Sequence, residues 1–188
     1  MSINGAAAGL KSVSQQEIVF VVPPGLLGTT AGRVLPFVIN NNGTEYKGTV
    51  TLVPTRPDIF TDLPSPGPFG RAKITNVTNR VHTTEPFTVT TILERGGRRV
   101  PSRMRIQLTG VQGVTPAITV IRIGSVQVSG AGISTAATLV APGVYTMDFL
   151  LPPTLNMAGD QPVVITISVD GRLYESRLDD TAARVFIL

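Results

Sequence analysis

The chain has 188 residues, no Cys, no Trp, 19 Gly, 15 Pro and only 15% charged residues. That length accommodates one large or two small domains, and the missing Cys excludes a disulfide framework, thiolate metal centres and a cysteine nucleophile. The formal net charge of +4 resides in one stretch: residues 1–70 balance, 106–188 carry net −2, and 71–105 set eight basic side chains against Glu85 and Glu94 for net +6.

β-branched residues, Gly and Pro recur every few positions, which argues against disorder and against helices and predicts an all-β protein of many short strands. Met1-Ser2-Ile3-Asn4-Gly5 has neither a charged n-region nor a long apolar h-region. The chain is therefore expected to be either cytoplasmic or a piece of something longer. No run approaches the roughly 18 apolar residues of a membrane helix, so no membrane insertion is expected.

In chain order, Val34-Leu35-Pro36-Phe37-Val38-Ile39, then Asn42-Gly43, then Thr44-Glu45-Tyr46-Lys47-Gly48-Thr49-Val50 reads as strand, type I′ turn and strand. Residues 61–70 hold three Pro and two Gly and read as a stiff linker. Beyond it, strands are expected near 73–78, 87–94, 103–109, 118–123, 126–129, 137–140 and 145–150. The strongest signal follows. In Val163-Val164-Ile165-Thr166-Ile167-Ser168-Val169 the odd positions are apolar, Asp170-Gly171 suits a type I′ turn, and 172–178 is the return strand.

These pieces repeat. Val19-Phe20-Val21-Val22-Pro23-Pro24-Gly25-Leu26 matches Asp148-Phe149-Leu150-Leu151-Pro152-Pro153-Thr154-Leu155, and Ile59-Phe60 is matched with Phe186-Ile187. From strand Pro to Tyr the two copies run from Pro36 to Tyr46 and from Pro162 to Tyr174. The spacings differ by two, which keeps every side chain on its face. The reading is an internal duplication: a short unit over 1–60, linker 61–70, and a complete sandwich over 71–188 with room for seven to nine strands. The first unit holds only the C-terminal half of the strand set. Either it begins mid-domain or another chain supplies its missing strands.

Candidate chemistry is sparse. His82 is the single histidine, with no nucleophile elbow to serve, and reads as a surface residue. No metalloprotease, P-loop or dinucleotide motif occurs, so no catalytic residue, cofactor or metal is expected. Asp179-Asp180, joined by Asp160 or Asp170, offers a Ca²⁺ alternative, but turn formation or pairing with Arg177 or Arg184 is simpler. Asn42-Gly43-Thr44 and Asn76-Val77-Thr78 fit the glycosylation triplet.

The most functional-looking feature is basic. Met104, Ile106 and Leu108 alternate with Arg103 and Arg105, placing both Arg on the outer face, while Arg95, Arg98 and Arg99 flank the preceding Gly96-Gly97 turn. Such a cluster suits bidentate capture of carboxylate or phosphate; the plainer reading is a solvated strand face that blunts edge pairing. Nucleic acid is a poor partner, because no aromatic lies between Phe87 and Tyr145 to stack bases. Carbohydrate platforms of exposed Trp and Tyr are missing as well.

Gln107-Leu108-Thr109-Gly110-Val111, Ala141-Pro142-Gly143-Val144-Tyr145, Leu151-Pro152-Pro153-Thr154-Leu155, Ala158-Gly159-Asp160-Gln161-Pro162-Val163-Val164 and Ser176-Arg177-Leu178-Asp179-Asp180-Thr181-Ala182 resemble an uncharacterised bacterial C-terminal repeat family. Its members end large, multi-repeat secreted or surface proteins of acidobacteria and related soil bacteria. The first copy is similar to the preceding repeat of that family and to the Ig-like, plexin and transcription factor (IPT/TIG) sandwiches. The resemblance implies two tandem Ig-like units and an extracellular or cell-surface location, and it brings no catalytic residues. The expected function is a non-enzymatic spacer or adhesion module whose partners are a protein or a cell-surface polymer. One alternative is a filament subunit that self-associates by β-strand addition through sheet edges; another is an accessory module that binds an anionic polymer.

Overall fold

A computed structural model describes residues 1–26, 32–62, 70–79, 83–178 and 181–188. The protein is all-β: among the described residues the only helical pieces are three-residue 3₁₀ turns. It divides into two compact units, Met1–Pro54 and Thr55–Leu188.

The first unit contains β1 (Ser2–Ile3), β2 (Ala6–Ala7), β3 (Gly9–Val13), β4 (Ile18–Val21), β5 (Val34–Asn41) and β6 (Thr44–Thr51). One sheet runs β2-β1-β5-β6, and β3 and β4 form a separate hairpin. Asn42 and Gly43 have φ of 49° and 94°, the left-handed conformation that a type I′ turn requires. Asn4-Gly5, with φ of 48° and 78°, turns β1 into β2 in the same way. Gly48 lies beneath the Phe37 ring, where a Cβ would come within 2.5 Å of Cε1. The buried core of this unit is small: Ile3, Leu26 and Leu35, with Phe20, Phe37 and Val50 partly buried around them.

The second unit contains β7 (Asp58–Ile59), β8 (Thr61–Asp62), β9 (Arg71–Ala72), β10 (Ile74–Asn76), β11 (Thr90–Ile92), β12 (Arg99–Pro101) and β13 (Arg103–Thr109). It continues with β14 (Thr119–Ile123), β15 (Val126–Ser129), β16 (Thr138–Ala141), β17 (Val144–Leu150), β18 (Gly159–Val169), β19 (Arg172–Glu175) and β20 (Ala183–Ile187). One sheet runs β10-β13-β17-β16 with β7 added to β13. The other runs β15-β14-β18-β20-β9-β8 with β19 added to β18. Both contribute to one core, Ile106, Leu108 and Phe149 from the first and Ile121, Ile165 and Ile167 from the second, all of them at 0% exposure. Each such side chain contributes about 1.5–3 kcal/mol over its exposed state, so this core is what holds the two sheets face to face.

The boundary differs from the sequence expectation of a unit over 1–60 and a linker over 61–70. Asp58–Ile59 pairs with Leu108–Thr109, and Thr61–Asp62 pairs with Arg71–Ala72. Ile59, expected to close the first copy, is buried in the second unit's core, because it completes the hydrophobic face beside Leu108. Its expected counterpart Phe186-Ile187 lies in the opposite sheet. The Pro-rich residues 63–69 lie outside the described residues. The expected return strand 172–178 stops at Glu175, because Ser176 turns inward: Ile165 N–H donates to its Oγ at 3.0 Å, and its own N–H donates to the Ile165 carbonyl at 2.9 Å.

Elsewhere the two copies share local structure. Leu26 N–H donates to the Pro23 carbonyl and Leu155 N–H to the Pro152 carbonyl, both at 3.0 Å, closing the same 3₁₀ turn. The pair β1–β2 lies on β5 as β14–β15 lies on β18, and hairpin β3–β4 corresponds to β16–β17, each with a bulge in its first strand.

Candidate functional site

Strands β11 and β12 form a hairpin in register Thr90↔Pro101, Thr91↔Val100 and Ile92↔Arg99. Its tip is closed by Leu93 N–H donating to the Arg98 carbonyl at 2.9 Å. The reversal between these residues needs Gly96 and Gly97, with φ of 84° and 60°, which L side chains adopt at a cost. Arg95, Arg98 and Arg99 are all exposed on this hairpin.

Its base is fixed by a buried polar chain. Asn76 Nδ2 donates to Thr91 Oγ1 at 2.8 Å, Thr91 Oγ1 lies 2.7 Å from Ser102 Oγ, and Thr78 N–H donates to Asn76 Oδ1 at 2.9 Å. The three side chains are nearly solvent-free. Arg103 N–H donates to Thr78 Oγ1 at 2.6 Å, and Asn79 Nδ2 donates to the Ile92 carbonyl at 2.8 Å, tying the hairpin to β10 and β13. An open depression of ≈ 360 Å³ beside the tip is lined by Thr78, Asn79, Leu93, Glu94 and Arg95.

The five candidate arginines separate into two groups. On β13, Met104, Ile106 and Leu108 are buried and Arg103 and Arg105 are exposed. Arg105, however, is bound by Asp148, a carboxylate 4% exposed on β17, through Nε at 2.7 Å and Nη2 at 2.9 Å. These hydrogen bonds hold the guanidinium above its ordinary range, against a smaller effect of burial. Arg105 is therefore an internal strand tie. Arg95, Arg98, Arg99 and Arg103 have no carboxylate within ion-pair distance among the described residues. Comparisons of the chain with protein-family models, with curated proteins and with solved structures each find no match.

A second charged cluster escaped sequence reasoning. Arg71 donates to Glu85 Oε2 at 2.9 Å and to Asp160 Oδ1 at 2.6 Å, and Arg184 Nε donates to Asp160 Oδ2 at 2.5 Å. Partial burial pushes the Asp160 carboxyl up, but hydrogen bonds from Arg71 and Arg184, with their charges, outweigh it and hold it below the usual carboxylate range. Burial likewise pushes Arg71 down, and its bonds to Asp160 and Glu85 more than offset this. With both oxygens occupied by guanidinium groups, Asp160 is not free to join a Ca²⁺ site. Its proposed companions Asp179 and Asp180, and the single His82, lie outside the described residues.

Among the described residues there is no group of three or more His, Cys, Asp or Glu side chains placed to hold a metal. Of the asparagines in the two glycosylation triplets, Asn76 has its amide nitrogen buried and committed to Thr91, so the folded unit does not present it at the surface. No helix among the described residues is long and apolar enough to cross a membrane.

Proposed function

We propose that the chain is a non-enzymatic structural and adhesion module of a secreted or cell-surface protein, built of tandem Ig-like units that connect and transmit tension. The observation that carries this reading is how the second unit secures its first and last strands. Arg177 grips β7, donating through Nε to Asp58 Oδ1 at 3.0 Å and through Nη2 to the Ile59 carbonyl at 3.1 Å. The last strand, β20, lies between β18 and β9. The Arg71–Asp160–Arg184 bridge joins these three strands, and Glu85 Oε1 accepts the Phe186 N–H at 3.1 Å. Charge-assisted bonds of this kind are about twice as strong as neutral ones. Two such ties at the first and last strands suit an element pulled from both sides. The resemblance to surface-protein repeats supports the same reading.

Single-molecule stretching of the full chain tests it. Arg177→Ala and Asp160→Asn each lower the rupture force of the second unit. Because the folded Asp160 carboxyl titrates below its ordinary value of 3.8, its contribution is present above that value and is lost as pH falls through the lowered one. Acid therefore weakens the native chain more than Asp160→Asn. Rupture forces indifferent to both substitutions would sink the reading.

A specific observation favours strand addition as a second reading. Phe149 has 0% exposure beside Met104 of β13, which pairs along β17. Its counterpart Phe20 is only partly buried, and among the described residues no strand lies along the other edge of β4. A strand from a second copy, alternating as Met104, Ile106 and Leu108 do, would complete the first unit. Light scattering is then expected to detect concentration-dependent association of the chain, abolished by Ile18→Pro, whose backbone N–H faces that edge. A monomer at all concentrations removes this reading.

A further inference from the structure

We infer that the β11–β12 hairpin is a binding site for an acidic polysaccharide, with Arg95, Arg98 and Arg99 as its charged contacts and Arg103 flanking them. The site is distinct from the strand ties above and is measured on the free chain without force, so either proposal can fail while the other stands.

Three features select this ligand class. The first is uncompensated charge on a fixed support. Arg71, Arg105, Arg177 and Arg184 are each satisfied by a carboxylate, whereas Arg95, Arg98, Arg99 and Arg103 stand outside every ion pair of the described residues, within nine positions of one another. A guanidinium presents two parallel N–H groups to a carboxylate, and three of them on one hairpin engage successive acidic groups of a chain. The hairpin does not have to be ordered on binding, since the Asn76–Thr91–Ser102 chain already holds its base; this lowers the entropic cost of association.

The second feature is the depression beside the tip. Its wall includes the Thr78 hydroxyl, the Asn79 amide and the Glu94 carboxylate. A carboxylate there accepts hydrogen bonds from sugar hydroxyls, which a DNA backbone does not offer. A polymer with one acidic group per ring and hydroxyls between suits this mixture; a continuous phosphate backbone does not.

The third is the missing stacking platform. Grooves for single-stranded nucleic acid interleave cations with aromatic rings, and no aromatic residue occurs from 88 to 144. The nearest large apolar side chains, Ile92 on the hairpin and Leu93 in the depression, offer an aliphatic surface to a sugar ring and no π face to a base.

The test uses the full chain and three immobilised polymers, polygalacturonate, neutral dextran and a mixed-sequence DNA in single- and double-stranded form, read by biolayer interferometry. Polygalacturonate is expected to bind, with affinity falling roughly 20- to 50-fold for a fourfold rise in salt, as counterion release at three or four contacts on a single-stranded polyanion requires. The triple variant Arg95→Ser/Arg98→Ser/Arg99→Ser loses that binding while its melting temperature stays within a few degrees of the native one, since these side chains make no ion pair. Glu94→Gln is expected to narrow the preference for polygalacturonate over DNA. The proposal is overturned by no binding to polygalacturonate, by equal binding to dextran, by tighter native binding to DNA, or by full retention of binding in the triple variant.

Discussion

Replacing Gly110 by Ala is expected to lower the melting temperature of the second unit by roughly 10 °C, the largest fall among its exposed glycines. Gly110 follows β13 with φ +69°, and a Cβ there would lie 1.9 Å from the Arg56 carbonyl oxygen. That obstacle is backbone and cannot rotate aside. It is also bonded in place: the Gly110 carbonyl accepts the Arg56 N–H at 3.2 Å and the Thr55 hydroxyl at 2.7 Å. An Ala must therefore adopt a left-handed conformation, costing about 1–2 kcal/mol, and also displace the segment leading into β7, at about 1–3 kcal/mol more.

Two controls separate these costs. Gly113 has nearly the same φ, +70°, with nothing within 4 Å of a Cβ, so Gly113→Ala carries the conformational cost alone. At Gly124, φ +57°, the obstructing atom is the end of the Gln161 side chain, which can swing away after giving up one hydrogen bond to the Ala158 carbonyl. Circular-dichroism melts should rank Gly110→Ala well below the other two. Equal losses at Gly110 and Gly113 would show that the close approach carries no energy.

That approach bears on the domain boundary, which the sequence sets after residue 60 and the structure after Pro54. Residues 55–60 read as the tail of the first copy because Ile59-Phe60 mirrors Phe186-Ile187 and a Pro-rich run follows. What assigns them to the second unit is long-range: Ile59 opposite Leu108, Arg177 on Asp58, and Gly110 against Arg56. None of these pairs has a local signature. The elements with local signatures were legible. The Asn-Gly and Asp-Gly turns demand positive φ, and the alternation of β13 and β18 decides which side chains are buried. The two Pro-Pro segments close identical 3₁₀ turns.

The same distinction governs the charged residues. That Arg103 and Arg105 share an outer face follows from the period of a strand. That Arg105 is discharged depends on its being level with Asp148, 43 residues away, and register between distant strands is set by the whole sheet. In sequence Asp160 enters only the Ca²⁺ alternative beside Asp179-Asp180, because carboxylates that meet suit a cation. In space its neighbours are Arg71 and Arg184, so the attraction it feels has the opposite source.

Thr91→Val is expected to weaken polygalacturonate binding without altering a single arginine. Valine matches threonine in shape, so the change creates no cavity; it removes the hydroxyl at the centre of the Asn76–Thr91–Ser102 chain. Among the described residues every buried side-chain nitrogen or oxygen has a partner. The variant breaks that condition twice, leaving Asn76 Nδ2 and Ser102 Oγ facing a methyl group. Each orphaned buried group costs about 1–3 kcal/mol, so a loss of about 2–6 kcal/mol is expected, concentrated where β11 and β12 meet β10 and β13. The global core is untouched, and the loss takes the form of local opening. Hydrogen exchange should therefore accelerate at the Leu93 and Ser102 amides, which donate to the Arg98 and Val89 carbonyls, and remain slow at Ile165 in the centre of β18. An opened hairpin no longer holds three guanidinium groups in one arrangement, so affinity falls through lost preorganisation. Thr91→Ser keeps the hydroxyl and should restore both exchange protection and binding. If Thr91→Val accelerates exchange but leaves affinity intact, the arginines bind as independent flexible charges, and the buried chain is structural only.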